Sequence, residues 1–166
     1  DFDETFNQSS RFDRYREQFE KLKADGRIYP CYETPEELER KRKLLIAAGG
    51  KQVYDRSAME LTDQQKKDYE AEGRKPHWRF LLKTERMKWD DLLKGEIDID
   101  LTSLSDPVLF REDGVPLYTF SSAVDDIDYG ITNVIRGDDH TSNTAVQVEI
   151  INALDQNKIT FAHHAL

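Results

Sequence analysis

Residues Val115 to Gln147 read VPLYTFSSAVDDIDYGITNVIRGDDHTSNTAVQ, and this segment contains two short apolar runs. The first run is Leu117 to Phe120 and the second is Ile131 to Ile135. Short apolar runs that end at polar residues are typical of buried strands in an α/β sheet, which present reactive groups where they end. We therefore predict two strands here, in a protein of the mixed α/β class.

Arg136 follows the second run directly and is itself followed by Gly137. The guanidinium group is planar and permanently charged, so it suits bidentate recognition of a carboxylate or a phosphate. The glycine lets the backbone turn sharply or approach a ligand closely. We predict that Arg136 binds a substrate carboxylate. The alternative is an ion pair with Asp125, Asp126 or Asp138.

An acidic cluster, Asp138 to His140, precedes a stretch with helical periodicity. Val148, Ile151 and Leu154 recur at the spacing of one helix face. Carboxylates are favoured at a helix N-terminus by the helix dipole, with or without a ligand. We predict a helix from Thr141 to Leu154 with the acidic cluster on its first turn.

Three stretches of this segment together resemble the central part of a bacterial glutamyl-tRNA synthetase. They are Tyr118 to Asp126, Asn133 to His140 and Ser142 to Thr144. Upstream, Gln8 to Arg11 and Gly26 to Cys31 fall in the order and rough spacing of the same family. The resemblance implies a class I enzyme that activates glutamate with ATP and transfers it to the 3′ end of tRNA(Glu).

Two signature elements of that family, His-x-Gly-His and a Lys-Met-Ser-Lys-Ser-like loop, do not occur in this sequence. We therefore expect an internal fragment that is inactive by itself. The resemblance implies three parts with a Rossmann-like catalytic fold at both ends. Residues 1–30 would end its first half, 31–105 would form an inserted acceptor-stem-binding domain, and 106–166 would begin its second half.

The resemblance also implies roles for individual residues. Tyr118, Ser122 and Arg136 would bind glutamate, and Asp139 and His140 would lie near ATP. We expect no catalytic side chain, because the carboxylate of the substrate attacks the α-phosphate while the protein positions the reactants and stabilises phosphate charge. The alternative for Tyr118 is an aromatic core residue.

The middle of the chain is its only basic part, although the whole chain has a formal net charge of −9. Residues 36–88 contain 14 Lys or Arg and 10 Asp or Glu. Positive charge that neutralises phosphates supplies most of the sequence-independent affinity for RNA. We predict that the acceptor stem contacts Arg40, Lys41, Arg42 and Lys43. The alternative is a solvated helix face.

Cysteine content and hydropathy bear on metals and on cellular location. Cys31 is the single cysteine and is followed by Tyr32 and Glu33, whereas some relatives bind a structural zinc through a Cys-x-Cys pair. We predict no zinc, and ATP with Mg²⁺ as the implied cofactor. The sequence has no apolar run of about 20 residues and opens with no secretory signal, so we expect a cytoplasmic monomer without membrane contact.

Local patterns predict further elements. We predict helices from Phe12 to Asp25, from Pro35 to Ala48 and from Leu61 to Glu72, strands from Trp78 to Leu82 and from Asp106 to Arg111, and a hairpin turn from Glu112 to Pro116 that leads into Leu117.

Other functions are compatible with parts of the sequence. The chain fits a non-catalytic RNA-binding or protein-interaction module, or a truncated relative that glutamylates a modified tRNA base. A divalent-metal site at Asp125, Asp126 and His140 is a weaker alternative, because these residues have no recognised ligand spacing.

Overall fold

The computed structural model describes residues 5–154 and 158–165. The described chain contains five α-helices, α1 (Phe12–Ala24), α2 (Pro35–Ala47), α3 (Asp63–Ala71), α4 (Tyr118–Asp128) and α5 (Thr141–Leu154). Its strands are β1 (Ile28–Cys31), β2 (His77–Phe80), β3 (Arg86–Asp91), β4 (Gly95–Asp100), β5 (Val108–Phe110), β6 (Asn133–Gly137) and β7 (Thr160–His164). Short 3₁₀ turns precede α1 and α5. This arrangement confirms the mixed α/β class.

The first three helices begin and end close to where the sequence predicts. In α2, the Thr34 side chain accepts a hydrogen bond from the Glu37 amide, and the Glu37 carboxylate accepts one from the Thr34 amide, which forms a capping box. Thr62 and Gln65 form the same pair at the start of α3. These contacts satisfy amide groups that have no partner inside the helix. The three predicted helices are therefore confirmed.

A three-stranded antiparallel sheet in the order β1-β2-β5 supports the main core. Helices α1, α4 and α5 pack against the sheet, and the core side chains from these elements are almost completely buried. They include Tyr15, Leu22, Phe80, Leu109, Phe120, Ile150 and Leu154. This sheet joins strands from the early, middle and late parts of the chain. The predicted boundaries at residues 30 and 105 stay predictions.

The prediction of a strand from Leu117 to Phe120 is wrong. Helix α4 begins at Tyr118, and only an isolated bridge between Phe110 and Pro116 continues the expected hairpin. Periodicity in a run of four apolar residues cannot separate a strand from a buried helix. Phe120, Ala123 and Val124 are buried at helical spacing, so the core contacts of a longer segment determine the helix.

The hairpin of β3 and β4 was not predicted from the sequence. Its six residue pairs run from Arg86 opposite Asp100 to Asp91 opposite Gly95. Along β3, exposed residues alternate with less exposed ones, so the period-2 pattern of a half-buried strand was present in the sequence. The last residue of β3, Asp91, is buried and faces β7.

Strands β6 and β7 are parallel and pair from Asn133 opposite Thr160 to Gly137 opposite His164. Helix α5 lies between them in the chain, so these elements form a β-α-β unit. The predicted strand at Ile131 to Ile135 is confirmed with a shift of two residues. No helix in the described part of the chain is long and apolar enough to span a membrane.

A buried carboxylate connects the loop after α2 to the sheet. Asp106 accepts hydrogen bonds from Tyr29 Oη at 2.7 Å, from Arg56 Nε at 2.8 Å and from the Leu82 amide at 3.0 Å. Arg56 also donates to the Leu82 carbonyl at 2.8 Å. Because a buried carboxylate is costly without partners, these bonds hold three distant segments in one arrangement.

We expect Asp106→Ala to lower the free energy of unfolding by about 3 kcal/mol, because it leaves the buried Tyr29 hydroxyl and Leu82 amide without their acceptor and removes the ionic partner of Arg56. Urea denaturation measures this change. The control is Asp98→Ala, which removes a surface pair with Arg86 and should cost no more than about 1 kcal/mol. Equal effects of the two variants would contradict this role of Asp106.

Candidate functional site

Arg136 lies near the end of β6, and its guanidinium group is held by two side chains of α5. Its Nη1 donates a hydrogen bond to Gln147 Oε1 at 2.6 Å, and its Nη2 donates to the Thr144 hydroxyl. The guanidinium carbon lies 5.2 Å from the centre of the Phe161 ring, at cation–π distance. Nε is buried and has no hydrogen-bond partner among the described residues. This unused donor leaves the group able to bind a further acceptor.

The surroundings of Arg136 are half-buried and contain few negative charges. Burial lowers the pKa of Arg136, while Tyr118 and Asp126 raise it. Burial and the neighbouring Asp125 raise the pKa of Asp126, and Arg136 lowers it. Of the three alternative ion-pair partners, none hydrogen-bonds Arg136 in the described structure: Asp125 instead accepts from Tyr15 and Arg11, and Asp138 from Lys94.

Tyr118 and Ser122 are one turn apart in α4 and so lie on the same face of the helix. Tyr118 is 68% exposed, which excludes the alternative of a core aromatic residue in this chain. Ser122 accepts a hydrogen bond from Gln147 Nε2 at 2.8 Å. Gln147 therefore joins Ser122 to Arg136, and the structure brings the three predicted glutamate-binding residues to one place.

Gln147 and Thr144 were not predicted as site residues. Both lie on α5 at a spacing of three, which places them on one helix face, and both are buried. Their burial is the signal that identifies them, because a buried polar side chain needs a hydrogen-bond partner.

His163 and Asp91 extend this group of polar residues into the interior. Thr144 Oγ1 lies 2.7 Å from His163 Nε2, and His163 Nδ1 lies 2.5 Å from Asp91 Oδ2. Asp91 Oδ1 accepts from the amides of Leu93 and Lys94 and from that of His163. Burial raises the pKa of Asp91, but the hydrogen bonds from His163 and these amides outweigh it and lower the pKa to about 2.

The predicted ATP-binding residues lie beside this group in a 3₁₀ turn that leads into α5. Asp139 has a side chain that is 59% exposed, and His140 one that is 45% exposed. Lys94 Nζ lies 2.5 Å from Asp138 Oδ2, and this pair from the β3–β4 hairpin was not expected. The side chains of Asp139 and His140 thus face solvent, whereas Asp138 is paired with Lys94.

The four basic residues predicted to contact RNA do not share one environment on α2. Lys41 pairs with Glu33 at 2.8 Å and with Asp55 at 3.6 Å. Arg42 and Lys43 are exposed, and both approach Glu39. Arg40 is exposed. Four consecutive helical residues point in different directions, so the run does not form a single patch.

Cys31 is a buried free thiol. Burial raises its pKa to about 11, which disfavours the thiolate that zinc requires. Within the described ranges, no group of three or more His, Cys, Asp or Glu residues is arranged to hold a metal ion. The expectation of no zinc stays a prediction.

Comparison with known proteins identifies relatives along the whole chain. A family model described as the catalytic domain of class I tRNA synthetases (E and Q) matches residues 1–166. A protein of Maricaulis maris (strain MCS10) named glutamate–tRNA ligase 1 is 55% identical over 165 residues, which are 99% of this chain and 37% of that protein. A protein of Chelativorans sp. (strain BNC1) with the same name is 53% identical, over 99% of this chain and 38% of its own length.

Solved structures agree with these matches. The crystal structure of a glutamate tRNA ligase from Elizabethkingia meningosepticum CCUG26117, in complex with its amino acid, superposes with a TM-score of 0.89 at 27% identity. The match covers 100% of this chain and 35% of the other. The chain thus spans little more than a third of the relatives that it matches.

The low pKa of Asp91 makes its contribution to stability dependent on pH. The folded-state pKa of about 2 lies below the usual value of 3.8, so the contribution is present above pH 4 and is lost as the pH falls towards 2. This contribution of Asp91 to the free energy of unfolding is roughly 2 kcal/mol. A titration of the Asp91 carboxyl carbon by NMR checks the shift. A midpoint near 4 for Asp91 would contradict it.

Proposed function

Because this chain belongs to the class I tRNA synthetases of the glutamyl and glutaminyl type, we propose that it supplies the amino-acid-binding part of a glutamate–tRNA ligase. The observation that carries the proposal is the half-buried Arg136 guanidinium, which two side chains of α5 hold while its Nε has no partner in the described structure. The names of the curated relatives at 53 to 55% identity support glutamate as the amino acid.

Recognition of glutamate follows from the geometry around Arg136. One carboxylate of the substrate forms charge-assisted hydrogen bonds with the free N–H groups of Arg136, in a half-buried place where such bonds are strong. Tyr118 and Ser122 line the same place from α4 and orient the rest of the amino acid. Gln147 keeps Arg136 and Ser122 at a constant separation.

ATP binds beside this group, at the turn that carries Asp139 and His140. Enzymes of this family use ATP, with Mg²⁺, to activate the amino acid. The exposed side chains of Asp139 and His140 lie where a nucleotide can reach them, three and four residues beyond Arg136. The chain contributes by placing glutamate next to the nucleotide, which lowers the entropic part of the barrier.

The acceptor stem of tRNA(Glu) is the proposed partner of the basic middle segment. Arg40 is exposed on α2 and is available for phosphates. Arg42 and Lys43 are exposed but approach Glu39, and Lys41 is engaged by Glu33. We also propose that the parent protein is a cytoplasmic monomer.

We expect Arg136→Ala in the full-length protein to raise the KM for glutamate by at least about 100-fold, because the bidentate contact is lost. Arg136→Lys keeps the charge without the planar fork and should raise it by about tenfold. Aminoacylation kinetics at varied glutamate concentration measure both. Arg111→Ala is the matched control, since Arg111 is an exposed arginine that pairs only weakly with Asp113. An equal change in both alanine variants would disprove glutamate binding by Arg136.

For RNA, we expect Arg40→Ala to weaken tRNA binding by the full-length protein. The slope of log affinity against log salt concentration should become less steep by about one. Lys41→Ala should leave that slope unchanged and lower the melting temperature instead, because it breaks the pair with Glu33. Binding measured from low to moderate salt tests both variants. Arg16→Ala, at an exposed position of α1, is the control, and the RNA proposal fails if Arg40→Ala behaves like it.

A further inference from the structure

A continuous chain of hydrogen bonds runs from the end of β3 to the Arg136 guanidinium. It passes from Asp91 through His163 and Thr144 to Arg136 Nη2. His163 and Thr144 are completely buried, and Asp91 is 4% exposed. Asp91 and His163 are 72 positions apart in the sequence, so this chain exists only in the folded protein.

The direction of each hydrogen bond follows from its two ends. The Asp91 carboxylate can only accept, so His163 Nδ1 carries the proton and donates. In the tautomer with the proton on Nδ1, the other ring nitrogen, Nε2, has a free lone pair and accepts. The Thr144 hydroxyl proton has two acceptors in reach, Nε2 at 2.7 Å and the His140 carbonyl oxygen at 3.2 Å. The shorter contact favours donation to Nε2, and the Thr144 oxygen accepts from Arg136 Nη2. Each hydrogen bond in this series thus pairs one donor with one acceptor.

We infer that Asp91, His163 and Thr144 are positioning residues for glutamate binding, which fix the rotation of the Arg136 guanidinium through the Thr144 hydroxyl. The inference rests on the proposed role of Arg136. A guanidinium group has five N–H donors in one plane. With Nη1 held by Gln147 and Nη2 held by Thr144, that plane is fixed before the substrate arrives. Preorganisation of this kind lowers the cost of binding.

The hairpin of β3 and β4 thereby reaches the amino-acid site. Asp91 is the last residue of β3, and the Leu92 amide next to it donates to the Phe161 carbonyl of β7 at 2.9 Å. A purely structural role for Asp91 would be to hold this hairpin against β7. The loss of such a structural role would lower stability and change the KM values of all substrates alike. The loss of Arg136 positioning would change the KM for glutamate in particular.

The test uses the full-length protein and replaces the Thr144 hydroxyl, which links the Asp91–His163 pair to Arg136. We expect Thr144→Val to raise the KM for glutamate by about tenfold and to leave the KM for ATP within about twofold of the wild type. Thr144→Ser retains the hydroxyl and should restore the KM for glutamate. Thr132→Val makes the same chemical change at an exposed position and should alter neither constant. An unchanged KM for glutamate in Thr144→Val, or equal changes for both substrates, would overturn the inference.

A second measurement reads the direction of the hydrogen bonds and does not depend on activity. In protein with ¹⁵N-labelled histidine, we expect the His163 imidazole to be protonated at Nδ1 and unprotonated at Nε2. Asp91→Asn keeps the shape of the side chain and an oxygen for the Leu93 and Lys94 amides, but it removes the charge, and we expect it to shift the tautomer towards Nε2–H. A wild-type His163 protonated at Nε2 would also overturn the inference.

Comparison with Arg136→Ala separates failure of this inference from failure of the proposed function. If Arg136→Ala leaves the KM for glutamate unchanged, then Arg136 does not bind glutamate and both proposals fail. If Arg136→Ala raises that KM and Thr144→Val does not, only the positioning role fails.

Discussion

The burial of α5 is the constraint on which the arrangement of the other elements depends. This helix is enclosed by the chain, yet it carries the polar side chains Thr144, Gln147 and Glu149 in its buried part. Buried polar groups need hydrogen-bond partners, so each of these residues determines where a neighbouring element lies. Thr144 and Gln147 hold Arg136, and Glu149 accepts from Arg27 at 3.3 Å.

The same constraint connects stability with the proposed chemistry. If α5 moved relative to β6, Arg136 would lose both of its partners and a half-buried cation would be left without these acceptors, which is costly. The packing that stabilises the β6-α5-β7 unit therefore also holds the guanidinium group ready for a substrate carboxylate. Binding sites built on helices and strands in this way are more precise than sites built on loops.

Motif residues near the N-terminus of the chain have a structural explanation. Asp125 accepts hydrogen bonds from Tyr15 Oη at 2.9 Å, from Arg11 Nε at 2.8 Å and from Gln8 Nε2 at 2.8 Å. These bonds attach α1 to α4. Asp125 therefore links α1 to α4, whereas Asp126 acts on the charge of Arg136. The two adjacent aspartates thus have separate contacts, which explains the pair without a shared metal ion.

Much of the fold and part of the site followed from the sequence alone, because those features depend on residues close together in the chain. The capping pairs at Thr34 and Thr62 and the position of Arg136 near the end of β6 are of this kind. Only the tertiary structure decided that Tyr118 begins a helix, that Lys41 pairs with Glu33, and that Asp91 reaches Arg136 through α5 and β7. Each of these outcomes depends on a contact between distant segments, and the spacing of residues along a chain carries no information on which distant segments will meet.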